Sequence, residues 1–215
     1  MQKIRTVEAL DQAIDAEISW RRQELTTTLR LVEQASGPAQ RANLRAGILI
    51  LYAQWEGWIK NVAQLYVQYV NTKAYSYDQL SAAFLGTALK TKLNEIQQSA
   101  SALSHIEFAS FIQSKLPKRA TLSSNLVKTD SNLSSTILFN IIERLGLPKR
   151  DEYLSRRQMI DVELVHKRNT IAHGDFIDLN STGFKTLRDG VLTLLSIFTD
   201  DVRNAASTDR HLLNS

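Results

Sequence analysis

The chain has 215 residues, of which 43% are hydrophobic and 22% are charged, which suffices for one hydrophobic core and one domain. It contains no cysteine, and this excludes disulfides, zinc–thiolate centres and cysteine nucleophiles. A net charge of +4 permits a nucleic-acid partner without requiring one. With only 8 glycines and 3 prolines, the backbone has few helix breakers, so long helices are favoured.

The first third of the chain predicts two long antiparallel helices. Thr6 can cap a helix that runs to about residue 35, because its apolar residues keep a mostly helical spacing. Gly37 and Pro38 break this helix, and a second one from about residue 39 to 71 buries one wide apolar face. Two such helices joined by a tight break form an αα-hairpin, which can nucleate a helical bundle.

Shorter helices are predicted after the hairpin. Residues 76–79 have the pattern of a capping box that opens a helix to about residue 98. Residues 104–107 have a second such pattern, which opens a short helix that ends before Pro117.

A basic segment follows, since there is no acidic residue between Glu107 and Asp130. Its basic residues are Lys115, Lys118, Arg119 and Lys128. We interpret the segment as a mobile loop, and lysine-rich stretches are usually solvated connectors. The alternative is an arm that follows RNA phosphates, with Lys118, Arg119 and Lys128 as RNA contacts.

Three more helices are predicted in the second half. Ser131 or Asn132 caps the first, which ends at Gly146. Ser155 can cap a central helix that ends near His173 and Gly174. The last helix runs over roughly residues 184–205.

The predicted elements make an all-α fold with a single domain over residues 1–206 and a polar C-terminal tail over residues 207–215, which we expect to be frayed. The longest apolar run, residues 46–53, is too short to span a bilayer, and the first residues lack the apolar core of a signal peptide. We therefore expect a soluble cytoplasmic protein with no membrane contact.

The central helix carries the side chains best suited to chemistry. Arg168, Asn169 and His173 lie within little more than one helical turn. Arginine is always charged and forks onto phosphate oxygens, whereas histidine can take and give a proton near neutral pH. Together they suit phosphodiester chemistry. The structural alternatives are a helix-capping role for His173 and an interhelical bridge through Asn169.

A straight helix does not aim Arg168 and His173 at the same atom. Five positions separate them, about 140° around the axis and about 7.5 Å along it, although Asn169 and His173 share a face. Either Gly174 ends the helix so that His173 swings round, or a second copy of the helix completes the site. We favour the second explanation, with a contribution from the first.

At these residues the chain resembles a known family. Residues 168–174, RNTIAHG, resemble the Arg-Asn-x-x-x-His signature of the HEPN superfamily, and residues 51–60, LYAQWEGWIK, are similar to the Y-x-x-W-E-G-[FW]-[IV]-K stretch of its MAE-like branch. Residues 131–133 leading to residues 145–147 resemble a helix and turn found before the active-site helix in that branch. The signature alone often occurs by chance, so the resemblance depends on the combination, which covers most of residues 40–200.

The resemblance implies a HEPN-type bundle, built on two long antiparallel helices with shorter helices around them, and a metal-independent endoribonuclease with no cofactor. The ribose 2′-hydroxyl would attack its own 3′ phosphate and leave a 2′,3′-cyclic phosphate end. His173 would act as general base or acid, Arg168 would stabilise the charge on the phosphorane, and Asn169 would orient the phosphate or a partner group.

The resemblance also implies partners. Family members pair the signature across a homodimer, so we expect a composite active site that acts on RNA. The family setting suggests a toxin or antiphage-defence effector, restrained by an antitoxin or regulatory protein. The alternative is a HEPN module that binds nucleic acid or a partner protein without cutting. Degenerate members usually lose the arginine or the histidine, and this chain keeps both, which favours the enzyme. A purely structural bundle is a weaker third alternative.

Several neighbours of the signature and of the WEG motif are candidates for supporting roles. Glu56 and Lys60 could form an exposed pair worth about 0.2–0.5 kcal/mol, or Glu56 could face the site and restrain Arg168 or transfer protons. Lys167 is a candidate RNA contact. Gly57 in mid-helix costs about 1 kcal/mol relative to alanine, which predicts close approach by another helix. The two tryptophans of the motif are expected in the core or an interface.

Overall fold

The computed structural model describes residues 4–98, 101–123 and 132–213, and within these ranges it contains helices and no strand. The helices are α1 (Val7–Gln34), α2 (Gly37–Thr72), a 3₁₀ turn (Tyr77–Gln79), α3 (Ala82–Ala88), α4 (Lys90–Gln97), α5 (Ala102–Lys115), α6 (Ser135–Arg144), α7 (Asp151–Ser155), a π-helical segment (Met159–His166), α8 (Lys167–Ala172) and α9 (Ser181–Ser207). The all-α prediction is confirmed. No helix of the described ranges is long and apolar enough to cross a membrane.

The predicted αα-hairpin is confirmed. Thr6 caps α1, since its Oγ1 accepts a hydrogen bond from the Ala9 N–H at 3.1 Å. α2 begins two residues earlier than expected, at Gly37, whose φ of +57° suits glycine, and Pro38 stands in the first turn, where its missing N–H costs nothing. α2 is the central element, because it packs against α1, α8, α9 and the π-helical segment.

The prediction of a single helix from residue 76 to 98 is wrong. Ser76 and Gln79 do form the predicted capping box, but it opens only the 3₁₀ turn. Leu80 then becomes extended, is 1% exposed, and forms an isolated bridge with Leu212. Burial of Leu80 against the C-terminal segment therefore interrupts the helix, and α3 and α4 follow as separate short helices.

Two further helices begin at caps other than the expected ones. The cap of α5 lies three residues before the predicted cap at Ser104, because Ser101 accepts from the Leu103 N–H at 3.2 Å. α6 is capped by Ser134, which accepts from the Ile137 N–H at 3.4 Å. It is not capped by Asn132, and Ser131 lies outside the described residues. In both cases a different serine satisfies the free N–H groups of the first turn.

The last two predicted helix starts are also shifted. Ser155 ends α7 rather than capping the central helix, which begins after a turn at Arg156. α9 begins at Ser181, three residues before the predicted start, because the Asn180 side chain accepts from the Gly183 N–H at 2.8 Å.

The C-terminal residues are not a frayed tail as far as Leu213. The Ser81 N–H donates to the His211 carbonyl at 2.8 Å, and the Leu213 N–H donates to the Gln79 carbonyl at 2.9 Å. These bonds attach the segment after α9 to the extended residues that precede α3. The expectation of a frayed tail was wrong because it was based on the polar composition of residues 207–215. That composition does not show that the His211 side chain is buried.

His211 is fully buried among aromatic rings. Tyr66, Tyr69, Tyr75 and Phe84 surround it, with ring centroids 5.6–6.4 Å from the imidazole. Neither ring nitrogen has a hydrogen-bond partner among the described residues, and the nearest carboxylate oxygen, on Asp209, is 3.7 Å away. Burial is the main cause that lowers the pKa of His211, and the attraction of the Asp209 carboxylate opposes it only in part.

We expect His211 to make stability depend on pH. Its folded-state pKa lies below the unfolded value of about 6.5, so the unfolded chain binds the proton first as the pH falls. The stability that comes from keeping this imidazole neutral is therefore fully present above about pH 6.5 and is lost as the pH falls below it. Urea unfolding midpoints at about pH 7.5 and about pH 5 should show this loss, and His211→Phe should reduce it.

The control is His105→Phe, since His105 is exposed on α5 and should leave the pH dependence unchanged. If the wild type and His211→Phe lose equal stability between the two pH values, the buried imidazole is not the source.

Candidate active site

The helix that carries Arg168, Asn169 and His173 changes its winding just before them. Residues Met159–His166 form π-helical turns, and Lys167–Ala172 continue as a regular α-helix. π-Helical turns are rare and occur often at functional sites. Because they hold more residues per turn than an α-helix, the face presented by Arg168 cannot be extrapolated from residues 155–166 at 100° per residue.

The π-helical segment is held to α6 by one carboxylate. Asp161 accepts hydrogen bonds from the Ser135 N–H at 2.7 Å and from the Ser135 hydroxyl at 2.6 Å. Ser135 is the first residue of α6, where an anion is favoured by the helix dipole. Asp161 thus links the start of α6 to the helix of the signature, and sequence analysis gave no indication of it.

The end of α8 is a Schellman motif. The Gly174 N–H donates to the Ile171 carbonyl and the Asp175 N–H to the Thr170 carbonyl, both at 3.0 Å, and Gly174 has a φ of +90°. His173 still has helical dihedral angles (φ −83°, ψ −1°) and donates its N–H to the Asn169 carbonyl at 3.0 Å. The backbone therefore reverses only after His173, and Gly174 does not swing the histidine toward Arg168.

Arg45 of α2 holds the turn that contains His173. Its Nη1 donates to the Asp175 carbonyl at 2.5 Å and its Nη2 to the Ile171 carbonyl at 3.5 Å. A cation is favourable at this helix end, where carbonyl groups lack helical partners. His173 is exposed between these two carbonyls. Arg45 was not predicted, because it lies far from the signature in sequence.

Arg168 is packed on an aromatic ring from α2. Its Cζ is 3.9 Å from the ring centroid of Tyr52, a favourable cation–π distance. The Tyr52 hydroxyl is hydrogen-bonded to Arg168 and to Glu56 and accepts the Leu133 N–H at 2.8 Å. Burial and the Glu56 bond raise the pKa of Tyr52, so the hydroxyl stays protonated and donates to Glu56.

The contacts of Tyr52 bear on the two interpretations of Glu56. Glu56 is half-buried and contacts Tyr52, the residue on which Arg168 packs. Lys60, one turn further along α2, is exposed. Tyr52 was missed as a site residue, although the resemblance had included it as the tyrosine of Y-x-x-W-E-G.

The two tryptophans of the motif are core residues, as expected. Both are fully buried. The Trp55 indole donates to the Leu133 carbonyl and the Trp58 indole to Thr199 Oγ1 of α9, each at 2.9 Å. They are therefore not available to stack on a bound base.

The glycine of the motif makes room for a buried arginine. Arg21 of α1 is 6% exposed and donates to Gln54 Oε1 and Glu17 Oε1, each at 2.5 Å. A Cβ on Gly57 would lie 2.6 Å from Arg21 Nη1. The close approach expected at Gly57 is confirmed, and α1 makes it through this side chain.

Of the other predicted RNA contacts, Lys167 adjoins the signature, whereas Arg119 lies far from it. Lys167 is half-buried and forms an ion pair with Glu163 on its own helix. Arg119 donates to the Asn71 carbonyl at 3.4 Å, and Asn71 is about 28 Å along α2 from Tyr52.

The described part of the basic segment is bonded to the bundle rather than mobile. The Tyr77 N–H donates to the Lys118 carbonyl at 3.1 Å, and the Ala120 N–H donates to the Tyr75 carbonyl at 2.8 Å. The free loop was predicted from charge alone, which does not reveal these backbone bonds. Lys128 lies outside the described residues.

Within the described parts of the chain, no group of three or more His, Asp or Glu side chains is placed to hold a metal ion.

The chain matches the model of the MAE-like HEPN family over residues 10–211, from α1 through the buried His211. No curated protein and no solved structure matches the chain.

We expect Gly57→Ala to destabilise the protein. Alanine gains about 1 kcal/mol in helix propensity, but the new Cβ displaces Arg21 from buried bonds to Gln54 and Glu17, each worth about 1.5–3 kcal/mol. The net loss should therefore be about 2–5 kcal/mol, measured by urea unfolding.

The matched control is Gly86→Ala in α3, where an added Cβ meets nothing within 4 Å, so the propensity gain should appear alone. Equal stabilisation by both substitutions would mean that Arg21 relaxes without cost.

Proposed function

Since the chain belongs to the MAE-like HEPN family of helical domains, many of which are RNases, we propose that it is a metal-independent endoribonuclease. The observation that carries this proposal is the placement of the signature. An arginine oriented by Tyr52 and a histidine exposed at a clamped helix end lie on one short helix. Preorganised cations stabilise charge that develops in a transition state, because they need no reorientation during the reaction.

In the proposed reaction the RNA supplies its own nucleophile. The ribose 2′-hydroxyl gives up its proton and attacks the adjacent phosphorus, and the bond from phosphorus to the 5′ oxygen breaks. His173 takes the first proton as a base or gives one to the leaving oxygen as an acid. Arg168 neutralises the phosphorane, and Asn169 orients the phosphate. The products carry a 2′,3′-cyclic phosphate and a 5′-hydroxyl, and DNA is not cut because it lacks the nucleophile.

The proposal includes a homodimer with a composite site. His173 keeps its helical register, so the angle of about 140° between it and Arg168 persists within one chain. A second copy can present its own Arg168 to the His173 of the first. The π-helical segment just before the signature also exposes an apolar side chain, Val162, which is 45% exposed and available to such a contact.

We propose that the protein acts on cytoplasmic RNA as a toxin or antiphage-defence effector. An RNase without restraint would damage the RNA of its own cell, so the proposal includes an antitoxin or regulatory protein that blocks it until needed. The signature arginine and histidine are both retained, which supports an active enzyme over a module that only binds.

We expect the wild-type protein to cut labelled single-stranded RNA in EDTA and to leave 2′,3′-cyclic phosphate ends. Removing the proton-transfer group in His173→Ala should lower the rate about 10²–10⁴-fold, and removing the cation in Arg168→Ala about 10²–10³-fold. Gel assays and end-group analysis measure both effects.

The matched controls are His105→Ala and Arg30→Ala, whose side chains are exposed on α5 and α1 and whose loss should leave cleavage unchanged. An absence of cleavage by the wild type at high protein concentration would favour the binding module. Cleavage that survives in both site variants would place the active site elsewhere.

The composite site predicts complementation. In a dimer of one Arg168→Ala subunit and one His173→Ala subunit, one of the two sites has both groups intact. After unfolding and refolding of an equal mixture, about half of the dimers are mixed, so about a quarter of wild-type activity should return. Mixing either variant with the double variant is the control and should restore nothing. If the first mixture also stays inactive although the two variants, carrying different affinity tags, co-purify as mixed dimers, each subunit uses its own pair.

A further inference from the structure

A cavity of about 270 Å³ lies beside the turn that contains His173. Arg41, Leu44 and Arg45 of α2 line one side, and residues 176–179 line the other. Its volume is just below the range of about 300–1,000 Å³ for pockets that hold drug-sized ligands. It therefore suits one small planar group rather than a folded strand of RNA.

The cavity adjoins the candidate active site through Arg45. This side chain lines the cavity and also donates to the carbonyls of Ile171 and Asp175, on either side of His173. Phe176 follows His173 by three residues. A molecule bound at His173 would therefore lie next to this cavity.

The lining combines positive charge with an exposed aromatic ring. Arg41 and Arg45 are four residues apart and so share a face of α2, while Asp178 is the one acidic residue among the lining residues. Phe176 is 77% exposed, more than any other large hydrophobic residue in the described ranges. Leu44, which is 4% exposed, supplies an apolar floor.

We propose that this cavity is a nucleotide subsite, in which Phe176 stacks on the base next to the cleaved bond and Arg41 binds a phosphate of the same strand. Proteins that bind single strands combine such basic surfaces with aromatic side chains on which bases stack. Arg45 forms part of the wall, and because its guanidinium is already bonded to two carbonyls, Arg41 is the cation left for the phosphate. This subsite deepens the proposed RNA cleavage and depends on RNA as the ligand.

The test measures binding rather than cutting, in a His173→Ala background with fluorescent single-stranded RNA and anisotropy as the readout. Phe176→Ala should weaken binding about tenfold, within the range that loss of one base stack produces, and Phe176→Tyr should retain it. The effect of Phe176→Ala should be absent when the strand carries an abasic site at the stacked position. Ile106→Ala is the matched control, since Ile106 is 61% exposed on α5.

The role of Arg41 in phosphate binding is tested in the same His173→Ala background. Arg41→Gln should weaken binding and reduce the slope of log affinity against log salt by about 0.7, the value for one phosphate contact on a single strand. Lys90→Gln removes one positive charge from exposed Lys90 at the start of α4 and should leave affinity and slope unchanged.

The outcomes separate the subsite from the catalytic proposal. If the wild type cuts RNA but Phe176→Ala and Arg41→Gln bind normally, the subsite is overturned and the enzyme stands. If the wild type does not cut but both variants lose affinity, the subsite stands and catalysis fails. If Phe176→Ala loses the dimer mass but keeps its RNA affinity, Phe176 is a protein contact and the subsite is overturned. The subsite is also overturned if the His173→Ala parent does not bind RNA at low salt.

Discussion

Two hydrogen bonds to the backbone of Leu133 attach the segment that leads into α6 to α2. The Tyr52 hydroxyl accepts the Leu133 N–H, and the Trp55 indole donates to its carbonyl. Both bonds are buried, where an unsatisfied partner would cost about 1–3 kcal/mol. Ser135, just beyond, is bonded in turn to Asp161 of the π-helical segment. A continuous series of polar contacts therefore runs from α2 to the helix that carries Arg168 and His173.

Tyr52 connects this framework to the chemistry. The same hydroxyl that accepts the Leu133 N–H is bonded to Glu56, and the same ring supports the guanidinium of Arg168. The two ends of the signature are thus held by different parts of α2. Tyr52 orients Arg168 near the middle of α2, and Arg45 clamps the turn around His173 two helical turns earlier. One central helix therefore holds both the proposed cation and the turn that carries the proposed proton-transfer group.

These contacts explain in physical terms why the Y-x-x-W-E-G pattern was informative. Tyr52 and Trp55 are three apart, so both reach the same backbone unit, and Glu56 is one turn beyond Tyr52. Gly57 leaves space for Arg21. Tyr52, Trp55, Glu56 and Gly57 each have a partner. Local chemistry predicted the close contact at Gly57, because a mid-helix glycine is costly unless something lies against it.

By itself the sequence determined the long hairpin of α1 and α2, the cap at Thr6, and the end of the signature helix at His173 and Gly174. These follow from apolar period, capping side chains and glycine, which act within a few residues. Tertiary structure alone decided where the chain departs from local preference. Leu80 leaves the helix to be buried beside Leu212, His211 enters an aromatic cage, the signature follows a π-helical segment, and Arg45 reaches the turn around His173. In each case burial or a hydrogen bond over a long sequence separation outweighs a local propensity of about 1 kcal/mol or less per residue, and no short window of sequence contains both partners.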